Sequence, residues 1–420
     1  MRRLLAHLAA LLCLSLPLQA QETTFNDALT AHLQTLQDIT VTLRELPLLE
    51  AVDVRFSSRE ELRAKYAVLL DDPEQRAETQ RQQRVFRAFG LLRPEDDLQT
   101  IYEDLYAAQV AGYYDSEAKY LSVIAPEGRT QLPTLPLLDQ IIFVHEMVHA
   151  LQDQHFDLTT YLLGADGQRL PSDELMARLA LAEGDAMLVM NVYAQRVSAA
   201  NPLGTLFQLA QASAQNPALI IPPSAPPIVQ RQLLWPYEQG EAFVRALFRQ
   251  GGWGAVNAAY ANPPRTTEQV FHPQKYLGGE EGQPVSQRDA SAALGQGWTL
   301  VEDGVLGQFF LREWLRTQLG RDQAHRAASG WGGDAYHLYE DGSGRSVIAF
   351  ASVWDNRDER DEFAQALRAM LEARQGRALQ ARADGLLCAT GADVACMSQG
   401  QEVRAFIAPD ESALAALLAP

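Results

Sequence analysis

His145-Glu146-Met147-Val148-His149 lies within a long apolar run that begins at Leu137 and continues into Ala150 and Leu151. Leu137, Leu138, Ile141, Ile142, Phe143, Val144, Met147, Val148, Ala150 and Leu151 cover most of a helix's circumference. The run therefore predicts a buried helix, with Pro136 suited to its first turn. A spacing of four turns the second imidazole only about 40° from the first, one turn further along, so both rings reach one ion. Glu146 sits at the edge of that pair, placed to take a proton from an attacking water. Two imidazoles and a carboxylate inside an apolar helix are costly unless something compensates them, and a metal ion does so directly.

A catalytic zinc site needs a third protein ligand and an open position. Beyond the first twenty residues the histidines are His32, His145, His149, His155, His272, His325 and His337. His155 has the spacing of the longer H-E-x-x-H-x-x-G-x-x-H pattern, but Gln152 stands where that pattern has its helix-ending glycine. Six helical steps without that turn carry His155 about 240° around the axis. Asp153 shares the face of His145 and His149 one turn further on, which suits a hydrogen bond to a ring nitrogen.

Glu183 is the chosen third ligand. On a helix expected from Asp173 to Arg196 it is flanked by Met176, Leu179, Ala180, Ala186, Met187 and Met190, so a carboxylate projects from an apolar stripe. Such a group calls for a cation, either a metal or a buried arginine. Gly184 signals close helix packing, and Asp185 is placed to hydrogen-bond a ligating histidine. Glu268 is the competing ligand.

His145-Glu146-x-x-His149 followed 34 residues later by Glu183, within Ala182-Glu183-Gly184-Asp185-Ala186, resembles the gluzincin branch of the zincin metallopeptidases. The resemblance covers roughly Tyr102 to Val197. It implies a zincin-like core, Zn2+ held by His145, His149 and Glu183, Glu146 as general base, and a peptide or protein substrate. The chain departs from that branch's best-known pattern: its glutamate lies farther along, and Glu-Gly-Asp-Ala replaces Glu-x-x-x-Asp. His272, in the polar loop Asn262 to Pro273, is the candidate to stabilise an oxyanion, with Tyr237 as a second; helix capping is the alternative use of that loop.

Residues 1 to 20 read as an export signal: Arg2 and Arg3, an apolar stretch from Leu4 to Leu18, and Ala20 at the cleavage position. The stretch falls short of the roughly 20 residues of a membrane span. The reading expects cleavage and a secreted or periplasmic protein without a stable membrane anchor, although Leu18 is bulkier than the usual cleavage-site residue. Removal takes Cys13 away and leaves Cys388 and Cys396, whose separation in an oxidising compartment predicts one short-loop disulfide. The formal charge of −18 becomes −20 with the loss of Arg2 and Arg3, which excludes nucleic acid and anionic membrane as partners.

The expected fold class is α+β, predominantly helical: a zincin-like metallopeptidase core with a C-terminal α+β module. Behind the signal at 1–20, the boundaries are a helical leader over 21–100, the zincin-like catalytic region over 101–300, and a helix plus small α+β module over 301–420. Ser58 before Glu60 and Glu61 marks a helix start, and Gly112 to Ile124 reads as two strands around a turn at Asp115 to Ala118. Zinc peptidases commonly hold an extended substrate along such a sheet edge. Another helix is expected from Tyr237 to about Tyr260, with Pro222 to Pro227 and Pro263-Pro264 marking the loops on either side. A non-catalytic exported binding or scaffold protein retaining the same fold is the alternative to an enzyme.

Overall fold

The computed structural model describes residues 25–109, 112–124, 131–164, 170–202, 204 and 225–419. The export segment expected at 1–20, with Cys13 and Ala20, lies outside them. The fold is α+β and predominantly helical, 57% helix and 17% strand among the described residues. Contacts divide the chain into two units: Met1–Thr79, Asp97–Leu170 and Ala177–Pro264 form the first, and Gln80–Asp96, Pro171–Met176 and Arg265–Pro420 the second. Among the described residues no helix is long and apolar enough to cross a membrane.

The elements up to residue 261 run α1 (Asp27–Arg44), β1 (Asp53–Ser57), α2 (Arg59–Leu70), α3 (Pro73–Ala88), α4 (Leu98–Gln109), β2 (Gly112–Asp115), β3 (Tyr120–Ile124), α5 (Leu137–Phe156), α6 (Leu158–Leu163), α7 (Ser172–Ala200) and α8 (Pro227–Ala261). Ser58 and Glu61 close a capping box on α2, a device that contributes about 1 kcal/mol. The strands β2 and β3 pair antiparallel, with Lys119 in the left-handed region at φ 56° in the turn. β1 joins β3 in parallel, giving the order β1-β3-β2 and leaving β2 at the edge.

α5 packs against β2 and β3, and all the residues of both strands are buried. Gly112 makes this approach possible. A Cβ there would lie 2.6 Å from Ile142 Cγ2 and 3.3 Å from Glu146 Cγ. The sheet edge therefore lies directly against the helix turn that carries Glu146.

α8 begins ten residues before the expected start at Tyr237 and runs through Pro236. A proline in a helix removes one hydrogen bond and crowds the preceding turn. Ile228, Val229, Trp235, Phe243, Val244 and Leu247 are all buried, and that apolar burial outweighs the defect. The real break comes at Gly251 and Gly252, whose backbone leaves the helical region, Gly252 at φ 60°.

In the second unit the elements from Arg265 onward are α9 (Thr267–Phe271), α10 (Pro273–Leu277), α11 (Ser291–Leu294), β4 (Trp298–Gly304), α12 (Gly307–Leu315), α13 (Arg321–Ala327), β5 (Trp331–Asp341), β6 (Ser346–Trp354), α14 (Arg357–Gln375), β7 (Gln380–Ala381), β8 (Leu387–Thr390), β9 (Val394–Gln399), β10 (Val403–Ala408) and α15 (Glu411–Leu418). A seven-stranded sheet runs β4-β5-β6-β10-β9-β8-β7, each neighbouring pair antiparallel. Alternation along β6 sends Val347 and Ala349 into a cluster with Phe406 and Leu414, while Phe350 meets Trp314 and Phe363. Both faces are thereby covered, and each fully buried ring contributes about 2–3 kcal/mol. Cys388 and Cys396 are directly opposed on β8 and β9 and form the expected disulfide.

Candidate metal centre

The local cause of the site is the apolar wrapping of α5. Phe143, Val144, Met147, Val148, Ala150 and Leu151 are each essentially buried, which anchors the helix and holds His145 and His149 in place. Their rings meet edge to face at 4.7 Å between centroids, and their Nε2 atoms are 3.0 Å apart. Glu183 reaches this pair from α7, with Oε2 at 3.2 Å from His145 Nε2 and 3.5 Å from His149 Nε2. One ligand atom from each of the three residues falls within 4.8 Å of the others.

His149 and Glu183 keep 1% of their surface, whereas His145 and Glu146 each keep 8%, so the accessible side of the cluster is the His145–Glu146 side. At this cluster three buried polar atoms have no hydrogen-bond partner among the described residues: His145 Nδ1, Glu146 Oε2 and Glu183 Oε1. Leaving a buried donor or acceptor unsatisfied costs about 1–3 kcal/mol, and more for a charged one. Two imidazole nitrogens and a carboxylate, gathered at one point with a carboxylate oxygen left over, fit a zinc ion as to donor type and number.

Burial raises the Glu146 carboxyl to about 8; His145 opposes the rise, Glu183 adds to it, and the Tyr114 N–H, donating to Glu146, opposes it. That N–H belongs to the edge strand β2, so the edge expected to receive a substrate has one donor engaged by Glu146. For Glu183, burial alone would raise the carboxyl, but the hydrogen bonds of the two histidine rings, and their charge when protonated, overcome it and hold it at about 2. Tyr237 lies beside them: its ring stacks on His145 at 6.0 Å, and its hydroxyl bonds to Glu183. Burial, together with the nearby Glu183 and Glu146 carboxylates, pushes that phenol well above its ordinary value.

Glu183 and Tyr237 meet because α7 and α8 touch through glycines. A Cβ on Gly184 would stand 2.1 Å from the Gly240 carbonyl carbon, and one on Gly240 would stand 2.0 Å from the Ala180 oxygen. Side chains larger than hydrogen at these positions would hold the helices apart.

The other expected site residues fall elsewhere. Asp153 does not hold a ring nitrogen; its Oδ2 accepts from Tyr114 Oη at 2.8 Å and Lys119 Nζ at 2.7 Å. Asp185 does not either, because Arg44 supplies a charged donor at 2.7 Å and Tyr260 a hydroxyl at 2.9 Å. His272 belongs to the second unit, where its Nε2 accepts from Gln308 Nε2 at 3.3 Å; it is not among the residues gathered at Glu183. Glu268 pairs there with Lys275. His155 donates to the Pro47 carbonyl at 2.7 Å, since α5 continues to Phe156 and turns that ring away. The residue that does hold one of these imidazole rings is Gln152, whose Oε1 lies 2.8 Å from His149 Nδ1. Its spacing of three from His149 was the available signal.

A family model described as a domain of unknown function, DUF8575, matches residues 237–418, a stretch that begins at Tyr237 and leaves His145, His149 and Glu183 outside. No curated protein matches the chain. A solved structure from Chloroflexus aurantiacus, described as a candidate hydrolase with a novel fold, is similar at 19% identity and a TM-score of 0.36, over 66% of this chain and 96% of that one.

Proposed function

We propose that this chain is an exported zinc-dependent metallopeptidase with a zincin-like core of the gluzincin kind. The observation that carries the reading is the convergence of His145 Nε2, His149 Nε2 and Glu183 Oε2 beside a buried, unpaired oxygen of Glu146. Among the described residues the second cluster of possible ligands, Glu268, Glu280 and Asp355, already surrounds Lys275, so the cation there is the protein's own.

His145, His149 and Glu183 would hold Zn2+, which supplies a Lewis acid that polarises a scissile carbonyl and acidifies water. Glu146 stands on the accessible side, where its carboxylate takes a proton from the attacking water and returns it to the departing amine. The Tyr114 N–H holds one side of that carboxylate, which restricts its orientation. Tyr237 donates its hydroxyl to Glu183, and its raised phenol remains protonated at neutral pH, available as a donor toward developing negative charge. Export is supported by Arg2, Arg3 and the apolar stretch behind them, and the Cys388–Cys396 disulfide suits an oxidising compartment.

Glu146→Gln tests the reading. Purified with zinc content equal to the parent, it is expected to lose at least a hundredfold in cleavage of unfolded protein or a peptide mixture. Equal rates would sink the peptidase assignment. Zinc binding by the parent with no hydrolysis of any peptide would favour a binding or scaffold role.

A further inference from the structure

Gln152 is fully buried and forms two hydrogen bonds that together decide where a proton sits. Its Nε2 donates to the Ala182 carbonyl at 2.9 Å, and its Oε1 lies 2.8 Å from His149 Nδ1. A carbonyl oxygen only accepts, so the amide end that faces Ala182 is the NH2, and the end that faces the imidazole is the oxygen. That oxygen also only accepts. The proton between it and the ring therefore belongs to His149 Nδ1, and when the ring is neutral His149 Nε2 is left as a lone pair.

The neighbouring ring obeys the same constraint. His145 Nε2 lies 3.0 Å from His149 Nε2 and 3.2 Å from Glu183 Oε2. With a lone pair on His149 and a carboxylate on Glu183, the hydrogen in this close trio is on His145 Nε2. With both rings neutral, they thus take opposite tautomers in the metal-free protein.

We propose that Gln152 is a positioning residue that imposes the Nδ1–H tautomer on His149 and ties it to the backbone one residue before Glu183. One side chain then aims a ring nitrogen on α5 and fixes the level of the carboxylate on α7. Its consequence for zinc rests on the metal reading above, whereas the tautomer rests on hydrogen-bond geometry alone.

The test uses full-length protein labelled with 15N in histidine, prepared metal-free at neutral pH. Long-range proton–nitrogen couplings of the imidazoles are expected to show Nδ1–H at His149 and Nε2–H at His145. In Gln152→Leu, His149 is expected to populate both tautomers, and zinc affinity, read by competition with a chromophoric chelator, to fall ten- to a hundredfold. Gln152→Glu keeps an oxygen opposite Nδ1 and is expected to recover most of that loss. A residue that only cross-links helices would give a less stable Gln152→Leu with unchanged tautomer and unchanged zinc affinity, and that result overturns the proposal. So does Nε2–H at His149 in the parent protein, a measurement that stands even where Gln152→Leu fails to fold. A parent that binds no zinc yet shows Nδ1–H at His149 overturns the metallopeptidase reading and bears out the tautomer.

Discussion

Gly184 and Gly240 meet backbone to backbone: a Cβ added to Gly184 would sit 2.1 Å from the carbonyl carbon of Gly240. This contact brings Glu183 on α7 into hydrogen-bonding reach of Tyr237 on α8. The composition of the site therefore depends on two residues that contribute no side chain to it.

Gly184→Ala is expected to destabilise the protein. Alanine gains about 1 kcal/mol in helix propensity, but overpacking costs about 1–3 kcal/mol. Here the obstacle is backbone rather than a rotatable side chain, so the upper end applies and the helices must move apart. Urea unfolding checks the stability, and chelator competition checks an accompanying loss of zinc affinity. An alanine variant more stable than the parent contradicts the close contact.

Asp185→Ala strands a buried cation. Arg44 and Asp185 are both fully buried and pair at 2.7 Å, with the guanidinium 4.3 Å from the Trp253 ring centroid. Removing one partner of such a pair costs about 3–5 kcal/mol, whereas replacing both by apolar residues of similar volume is often neutral. Chemical denaturation of Asp185→Ala beside the double variant Arg44→Met, Asp185→Leu is expected to show a large loss in the first and recovery in the second.

Metal stoichiometry separates the two carboxylate clusters. Glu183→Ala is expected to abolish stoichiometric zinc binding, and Glu268→Gln to leave it unchanged, because Lys275 bonds to Glu268 at 2.9 Å and also to Glu280 and Asp355. Elemental analysis after dialysis against trace zinc reads both. Retained zinc in Glu183→Ala removes Glu183 from the ligand set.

The same cluster sets a pH dependence. Burial raises Glu268 to about 8, against the pull of Lys275, whose single charge is divided among three carboxylates. The folded state thus holds a proton that the unfolded chain releases near 4.5. Stability from this group is present below that lower value and is lost as pH rises toward 8. The free energy of unfolding, measured at pH 5 and pH 8, is expected to fall more steeply with rising pH for the parent than for Glu268→Gln. Equal slopes would show that Glu268 is ionised throughout.

Reduction of Cys388–Cys396 releases an eight-residue separation in the chain. The loop-closure estimate for so short a loop is about 2.5 kcal/mol. Cys396→Ser is expected to lose that much in chemical denaturation while retaining parental zinc affinity. A loss of zinc affinity instead would tie the disulfide to the site.

Much of the fold was legible locally. The helix start at Ser58 and the turn between Asp115 and Tyr120 each follow from residues close in sequence. The start of α8 was placed ten residues late: the helix begins at Pro227, at the end of a proline-rich run read as loop, and burial along it carries it through Pro236. Asp153 and Asp185 were misassigned for another reason. Each carboxylate is taken by a cation from a distant segment, Lys119 and Arg44, and no spacing rule reveals such a partner.

By itself the sequence determined that His145, Glu146 and His149 share one turn-and-a-bit of a buried helix, since a period of 3.6 residues and an apolar run are local properties. Which groups face that turn was decided only by tertiary structure. Glu183, Tyr237, the Tyr114 N–H and the second bond of Gln152 arrive through helix and strand packing, where glycine-sized gaps at 112, 184 and 240 set the approach. Such gaps act between segments far apart in the chain, and their effect exists only once the core has closed around them.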